Sequence, residues 1–152
     1  MNRDARKEKG ETMADKDSFF WKMVDGRLPS PPCARTLGLV FGAIDPERGT
    51  IEVDFEGKPE FVNPVGNIQG GFLAAMLDDT MGPALVATLD AGEFAPTVNL
   101  NVQFHRPAKP GPLKGLGRVT MRGKEVCQLA AELLQHGKVV ATATATAVIR
   151  RM

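Results

Sequence analysis

The sequence predicts an α+β domain in which an antiparallel sheet of five or six strands wraps around one long central helix. Three observations carry this. The segment from Gly70 to about Leu89 is apolar nearly all round, as a buried helix is and a surface helix is not. Two stretches of strand character precede it and four follow in short succession, the order of an α+β plan. The last stretch, Val139 to Ile149, alternates Ala141, Ala143, Ala145 and Ala147 with Thr142, Thr144 and Thr146. A face of alanines lets another element come close, and the buried helix is the obvious candidate.

The elements follow from local pattern. Residues 1–17 interleave five basic residues (Arg3, Arg6, Lys7, Lys9, Lys16) with five acidic ones (Asp4, Glu8, Glu11, Asp15, Asp17) and carry almost nothing to bury. They read as a disordered charged tail without the apolar core of a secretory signal, and Met13 is a second candidate start. Ser18 is placed to cap a short helix through Phe19–Val24, with Trp21 as a packing anchor. Leu28-Pro29-Ser30-Pro31-Pro32 breaks that helix and reads as a stiff connector, so residues 18–33 form one segment and residues 34–152 the main domain. Thr36 to Ile44 and Thr50 to Phe55 read as a hairpin around Asp45-Pro46-Glu47-Arg48-Gly49. Lys58 to Gly66 is irregular. Gly82-Pro83 is expected to kink or divide the long helix. The strands after it are Val98–His105, Lys114–Arg122, Cys127–Leu134 and Val139–Ile149, with His136-Gly137 as the last turn. Gly115 and Gly117 lower the strand strength of their stretch.

Composition excludes several classes. The chain has 152 residues, close to the common size of one domain, and at that length needs no disulfide or metal staple. Nineteen Lys and Arg stand against eighteen Asp and Glu, for a net charge of +1, so no basic footprint for nucleic acid is present. Two cysteines without a CxxC pair and two histidines give no metal-ligand pattern, so neither metal nor separate cofactor is expected. No apolar stretch reaches the ~18 residues of a membrane span, and a cytoplasmic location is the default expectation.

Two features carry chemistry. Asn63-Pro64-Val65-Gly66-Asn67-Ile68-Gln69-Gly70-Gly71 runs into the long helix. Its glycines allow close backbone approach, and the free N–H groups at the helix start suit an anion or a developing oxyanion. The same pattern also fits a plain Gly-rich helix start. Asp78 and Asp79 place charge inside an apolar helix, where it is costly without a partner. They point about 100° apart, so one at most faces a given cleft. Either both line a thin polar stripe, or one is a carboxylate whose raised pKa suits a general base.

Gln69-Gly70-Gly71-Phe72-Leu73-Ala74-Ala75-Met76-Leu77-Asp78-Asp79-Thr80-Met81-Gly82, with the later Phe104-His105-Arg106-Pro107-Ala108, resembles the signature of the hotdog-fold thioesterases of the phenylacetate-degradation (4-hydroxybenzoyl-CoA thioesterase-like) type. The likeness extends over about residues 34–150. It implies the hotdog fold and an acyl-CoA substrate, with coenzyme A as part of that substrate. By the same resemblance Asp78, nine residues after Gln69, is the catalytic carboxylate, a general base on water or a nucleophile through a mixed anhydride. Asp79, its neighbour, is the backup. Gly70 supplies the N–H that polarises the thioester carbonyl. Asn63 helps hold water or the carbonyl, and Thr97 matches a hydroxyl that orients water. This chain departs from the family at Gln69, where the family carries His; Gln keeps an amide donor and acceptor but cannot change charge near neutral pH. Arg106, Arg122, Lys124 and Arg150 are candidates for the phosphates of coenzyme A, or ordinary surface charges. His105 reads as a polar-face strand residue and Cys127 as core.

The resemblance implies a homodimer or homotetramer with each active site built from two subunits. It supports an acyl-CoA thioesterase first. A non-catalytic acyl-CoA-binding protein on the same fold is the alternative, kept open by Gln69. A dehydratase is weaker, because neither His105 nor His136 lies in the loop such chemistry uses. The acyl group is not legible from the sequence.

Overall fold

The computed structural model describes residues 14–152. Residues 1–13, most of the expected tail, lie outside the described residues. Residues 14–17 are not loose. Asp15 Oδ2 accepts the Ala91 N–H at 3.1 Å, and Lys16 Nζ lies 3.2 Å from the centroid of the Trp21 ring. Both charges find partners far along the chain or on an aromatic face, which a local charge pattern does not show.

Helix α1 spans Phe19–Val24, and the Ser18 side chain accepts from the Trp21 N–H as its N-cap. Trp21 is buried, and its indole Nε1–H donates to the Ala87 carbonyl at 3.2 Å. The connector expectation needs correction after Pro31: Pro32–Leu37 is a second short helix, α2, closed by Gly38 in the left-handed region. Proline at the first helical position lacks an N–H that would be unpaired there anyway, so the Pro run ends as a helix start. Strand β1 therefore begins at Val40 and runs to Asp45, later than the hydropathy suggests.

Strand β2 (Thr50–Gly57) has the predicted alternation, with Ile51, Val53 and Phe55 buried and their neighbours exposed. A 3-10 turn at Pro59–Phe61 and the loop to Gln69 lead into helix α3, Gly70–Val86, of 17 residues. Met76, Leu77, Met81 and Leu85 are fully enclosed. Pro83 does not divide α3. Its missing N–H and its ring act on the Asp79 carbonyl, a local cost that burial of Met81, Ala84 and Leu85 around it outweighs. The helix ends at Val86, and residues 87–89 finish in turns with Ala87, Thr88 and Leu89 donating to Pro83, Leu85 and Val86 carbonyls.

Strands β4 (Thr97–Phe104), β5 (Gly111–Arg122), β6 (Val126–Gln135) and β7 (Lys138–Val148) complete a six-stranded sheet in the order β1-β2-β5-β6-β7-β4. Every pairing is antiparallel. His136 and Gly137, both at positive φ, make the tight β6–β7 turn as predicted. A two-stranded ribbon of β3 (Glu93–Phe94) and β8 (Arg150–Arg151) is too short for a hydropathy pattern to signal.

The sheet closes on α3 where its residues are small. Ala141, Ala143, Ala145 and Ala147 are buried, as the alternation predicts. Gly115 and Gly117 of β5 do the same work: a Cβ on Gly115 would run into Thr80 and Val53, and one on Gly117 would come 2.8 Å from the Thr80 carbonyl oxygen. Register also defines two ends of the sheet. Thr97, Ala147, Cys127 and Arg122 align across β4, β7, β6 and β5 at one end; Phe104, Ala141, Leu133 and Gly115 align at the other. Among the described residues no helix is long and apolar enough to cross a membrane.

Candidate active site

The loop before α3 is folded by its own polar groups. Asn63 Oδ1 accepts the Val65 and Asn67 N–H groups, each at 3.1 Å, and the Asn63 N–H donates to the Asn67 carbonyl at 2.8 Å. The Asn63 side chain thus holds the loop. Ile68 N–H donates to Ala108 and Gln69 N–H to Phe61, which fixes the loop to the 3-10 turn and to the segment after β4. Asn67 Oδ1 is buried with no partner among the described residues.

Gln69 is the N-cap of α3, its Oε1 accepting from the Gly71 N–H at 2.8 Å. The acceptor half of the amide therefore serves the helix. Gly70 follows at the first helical position, and its N–H has no acceptor among the described residues. Such a group carries the positive end of the helix dipole. The Phe104 ring lies against Gly70: a Cβ there would sit 2.9 Å from Cζ, 3.2 Å from Cε1 and 3.4 Å from Cε2. Sequence reasoning missed Phe104 as a neighbour of Gly70, because the two meet only through the fold; the available signal was its place in the apolar alternation of β4.

At the other end, Thr97 Oγ1 donates to Asp78 Oδ1 at 2.9 Å. This joins two of the residues singled out in the sequence. Asp79 faces another way. Its Oδ2 is buried with no partner, and its carboxyl is pushed up from the ordinary 3.8 to about 6, first by burial and second by the charge of Asp78. The raised carboxyl is thus the backup residue's.

One chain does not bring all the candidates together. Gly70 and Asp78 are eight residues apart on one helix, which separates them by about 12 Å along its axis. The basic candidates also divide. Arg106 follows the Phe104 end of β4, with Nη1 donating to the Val139 carbonyl at 2.7 Å. Arg122 is at the Thr97 end, donating to the Gly123 carbonyl at 3.0 Å, with exposed Lys124 beside it. His105 is exposed, with Nε2 2.8 Å from Thr142 Oγ1. Cys127 is buried in the core.

Two cavities, of about 260 and 360 Å³, lie on the sheet face away from α3 and share Arg118 and Glu132; none of the singled-out residues lines them. Among the described residues no group of three or more His, Cys, Asp or Glu is placed to hold a metal ion.

Comparison with known proteins now bears on this arrangement. The family model described as the acyl-CoA thioesterase N-terminal domain matches residues 59–148, which span the loop, α3 and strands β4 to β7. A phenylacetic acid degradation-related protein from Ralstonia eutropha JMP134 is 47% identical, superposes with a TM-score of 0.85, and the match covers 86% of this chain and 99% of that one. The E. coli PaaI protein from the phenylacetic acid degradation operon is 22% identical with a TM-score of 0.75, over 88% of this chain and 93% of that one. A thioesterase family protein from Silicibacter pomeroyi is 21% identical with a TM-score of 0.77, over 88% and 99%. The last two share the fold.

Proposed function

Because the chain belongs to the acyl-CoA thioesterase family and has its hotdog fold, we propose that it hydrolyses an acyl-CoA thioester with Asp78 as general base on water and the Gly70 N–H of a second copy as the oxyanion donor. Thioester hydrolysis is the activity of the family. The assignment of residues is supported by one observation above others, the Thr97–Asp78 hydrogen bond. It orients a carboxylate that otherwise has little reason to be in an apolar helix.

The reaction asks little more of the protein. Asp78 takes a proton from water as the water oxygen bonds to the carbonyl carbon. The carbonyl oxygen becomes an oxyanion held at the Gly70 N–H. The C–S bond then breaks, the sulfur leaves as thiolate and takes up a proton, and the products are a free acid and coenzyme A.

The second copy is required by distance. Base, water and carbonyl must lie within hydrogen-bond and attack distance, ~3 Å at each step, and the ~12 Å along α3 is too far. Strand β4 supplies the seam in this reading. It pairs only with β7 among the described residues, and Val98 (60%) and Leu100 (37%) are exposed on it. Antiparallel pairing of two β4 edges sets the Gly70, Phe104 and Arg106 end of one copy beside the Thr97, Asp78, Arg122 and Lys124 end of the other. Arg106 of one copy then lies at the Thr97 end of the other, where Arg122 and Lys124 sit three strands further in, on and after β5. Two such dimers joined as a tetramer keep this arrangement. The name of the Ralstonia relative makes phenylacetyl-CoA a first substrate to try.

A second reading has its own support: the raised carboxyl and unpartnered Oδ2 of Asp79 suit a base. Thiol release from aromatic and medium-chain acyl-CoAs separates the two. Asp78→Asn is expected to lower kcat by about 100-fold or more, within the range of lost general-base catalysis. Full turnover by Asp78→Asn with loss in Asp79→Asn moves the role to Asp79. Tight binding of every substrate without turnover overturns the hydrolase reading.

A further inference from the structure

The Phe104 ring has a place that its own strand does not explain. Phe104 is at the end of β4 on the α3 side, where its apolar neighbours Leu100 and Val102 point, yet it remains 56% exposed. A ring serving only the core would be covered. The three distances from a Gly70 Cβ, 2.9, 3.2 and 3.4 Å to Cζ, Cε1 and Cε2, place that position above the Cζ rim of the ring. The tip of the ring therefore lies against Gly70, while more than half of Phe104 stays exposed.

Gly70 carries the N–H to which the carbonyl was assigned above, one bond from the Cα the ring covers. A carbonyl held at that N–H brings its substituent within a few ångströms of the ring. The main chain is fixed on both sides: His105 and Arg106 N–H groups donate to the Val140 carbonyl at 2.8 and 3.2 Å, and Gln69 caps the helix at Gly71. A fixed, flat, exposed ring stacks with a flat partner and gains less from a puckered one of equal size.

We propose that Phe104 is a specificity-determining residue: its exposed ring beside Gly70 is a wall of the acyl site and selects acyl groups that are flat next to the carbonyl. This rests on the reading of Gly70 as the carbonyl site. It adds a determinant that lies outside the loop and helix, on the edge strand.

Benzoyl-CoA and cyclohexanecarbonyl-CoA test it, since they match in carbon skeleton and differ in flatness. The full-length protein is compared with Phe104→Leu and Phe104→Met, which keep apolar bulk without the ring, and with Phe104→Tyr, which keeps it. Thermal melts establish that each variant is folded. The ratio of kcat/KM for the flat over the puckered substrate is expected to fall about three- to tenfold in the Leu and Met variants, the size of an aromatic pair's advantage, and to be kept in the Tyr variant. An unchanged ratio, or a parallel fall for both substrates, overturns the proposal. The thioethers S-benzyl-CoA and S-cyclohexylmethyl-CoA, which cannot be hydrolysed, are titrated alongside. If the wild type turns over neither of these nor any other of the aromatic and medium-chain acyl-CoAs above, the hydrolase reading fails, while the Kd ratio of the thioethers still decides the role of Phe104. A wild type that binds neither thioether, or both equally, overturns it.

Discussion

Asp78 and Asp79 are neighbours of one chemical type with different surroundings. Asp78 has a hydroxyl partner in Thr97; Asp79 has an enclosed oxygen with none. Thr97→Val keeps the shape and removes the hydroxyl. It is expected to lower kcat about tenfold or more, the loss of one hydrogen bond to a charged group, with a smaller change in KM. For Asp79 the consequence concerns stability. Its folded pKa of about 6 lies above the ordinary 3.8, so the fold favours the protonated form. The contribution is fully present below the unfolded pKa and is lost as pH rises through the folded one. Asp79→Asn is neutral throughout. It is expected to melt at a higher temperature than the wild type at about pH 8, with the advantage gone by about pH 4, as read from thermal melts across that range. Local chemistry singles out the two aspartates and the Gln69-Gly70 helix start in the sequence, whereas Thr97 is picked out only by the family resemblance. Phe104 was not legible: its partner Gly70 is 34 positions away, and only the closure of the sheet on the helix brings them together.

At the scale of elements, the buried helix and the β strands were legible from periodicity, and α2 and the β3–β8 ribbon were not. The first group buries long, regular faces that period 3.6 and period 2 record. Helix α2 has six residues and opens on Pro32, so its start looks like the end of something else. Pro83 misleads in the same way, since tertiary burial overrides its local cost. Gly115 is the instructive case in β5. Composition reads it as a weakness of the strand, whereas the structure makes it a point of contact with α3 at the fully buried Thr80. Gly115→Ala adds intrinsic strand strength and is nevertheless expected to destabilise by about 1–3 kcal/mol through overpacking. That lowers the melting temperature by several degrees, at ~2–4 °C per kcal/mol for a chain of this size. A rise in melting temperature would show that the helix can move away at no cost.

For the whole molecule, the division of the candidate residues between two ends of one sheet makes activity depend on assembly in the proposed two-copy site. Leu100→Lys on the open edge of β4 is expected to give monomers in size-exclusion chromatography and to reduce turnover by about 100-fold or more, although Leu100 belongs to neither end. Retained turnover in a monomeric variant would show that one chain suffices. The docking of the N-terminal segment has a separate consequence. Trp21 is the single tryptophan of a chain without tyrosine, and it bonds the Ala87 carbonyl beneath Lys16. The protein's intrinsic ultraviolet emission thus comes from one seam, where α1 meets the far end of α3. A change in that emission reports the parting of this seam by itself, and it stays silent about events at the sheet edge until the core itself opens.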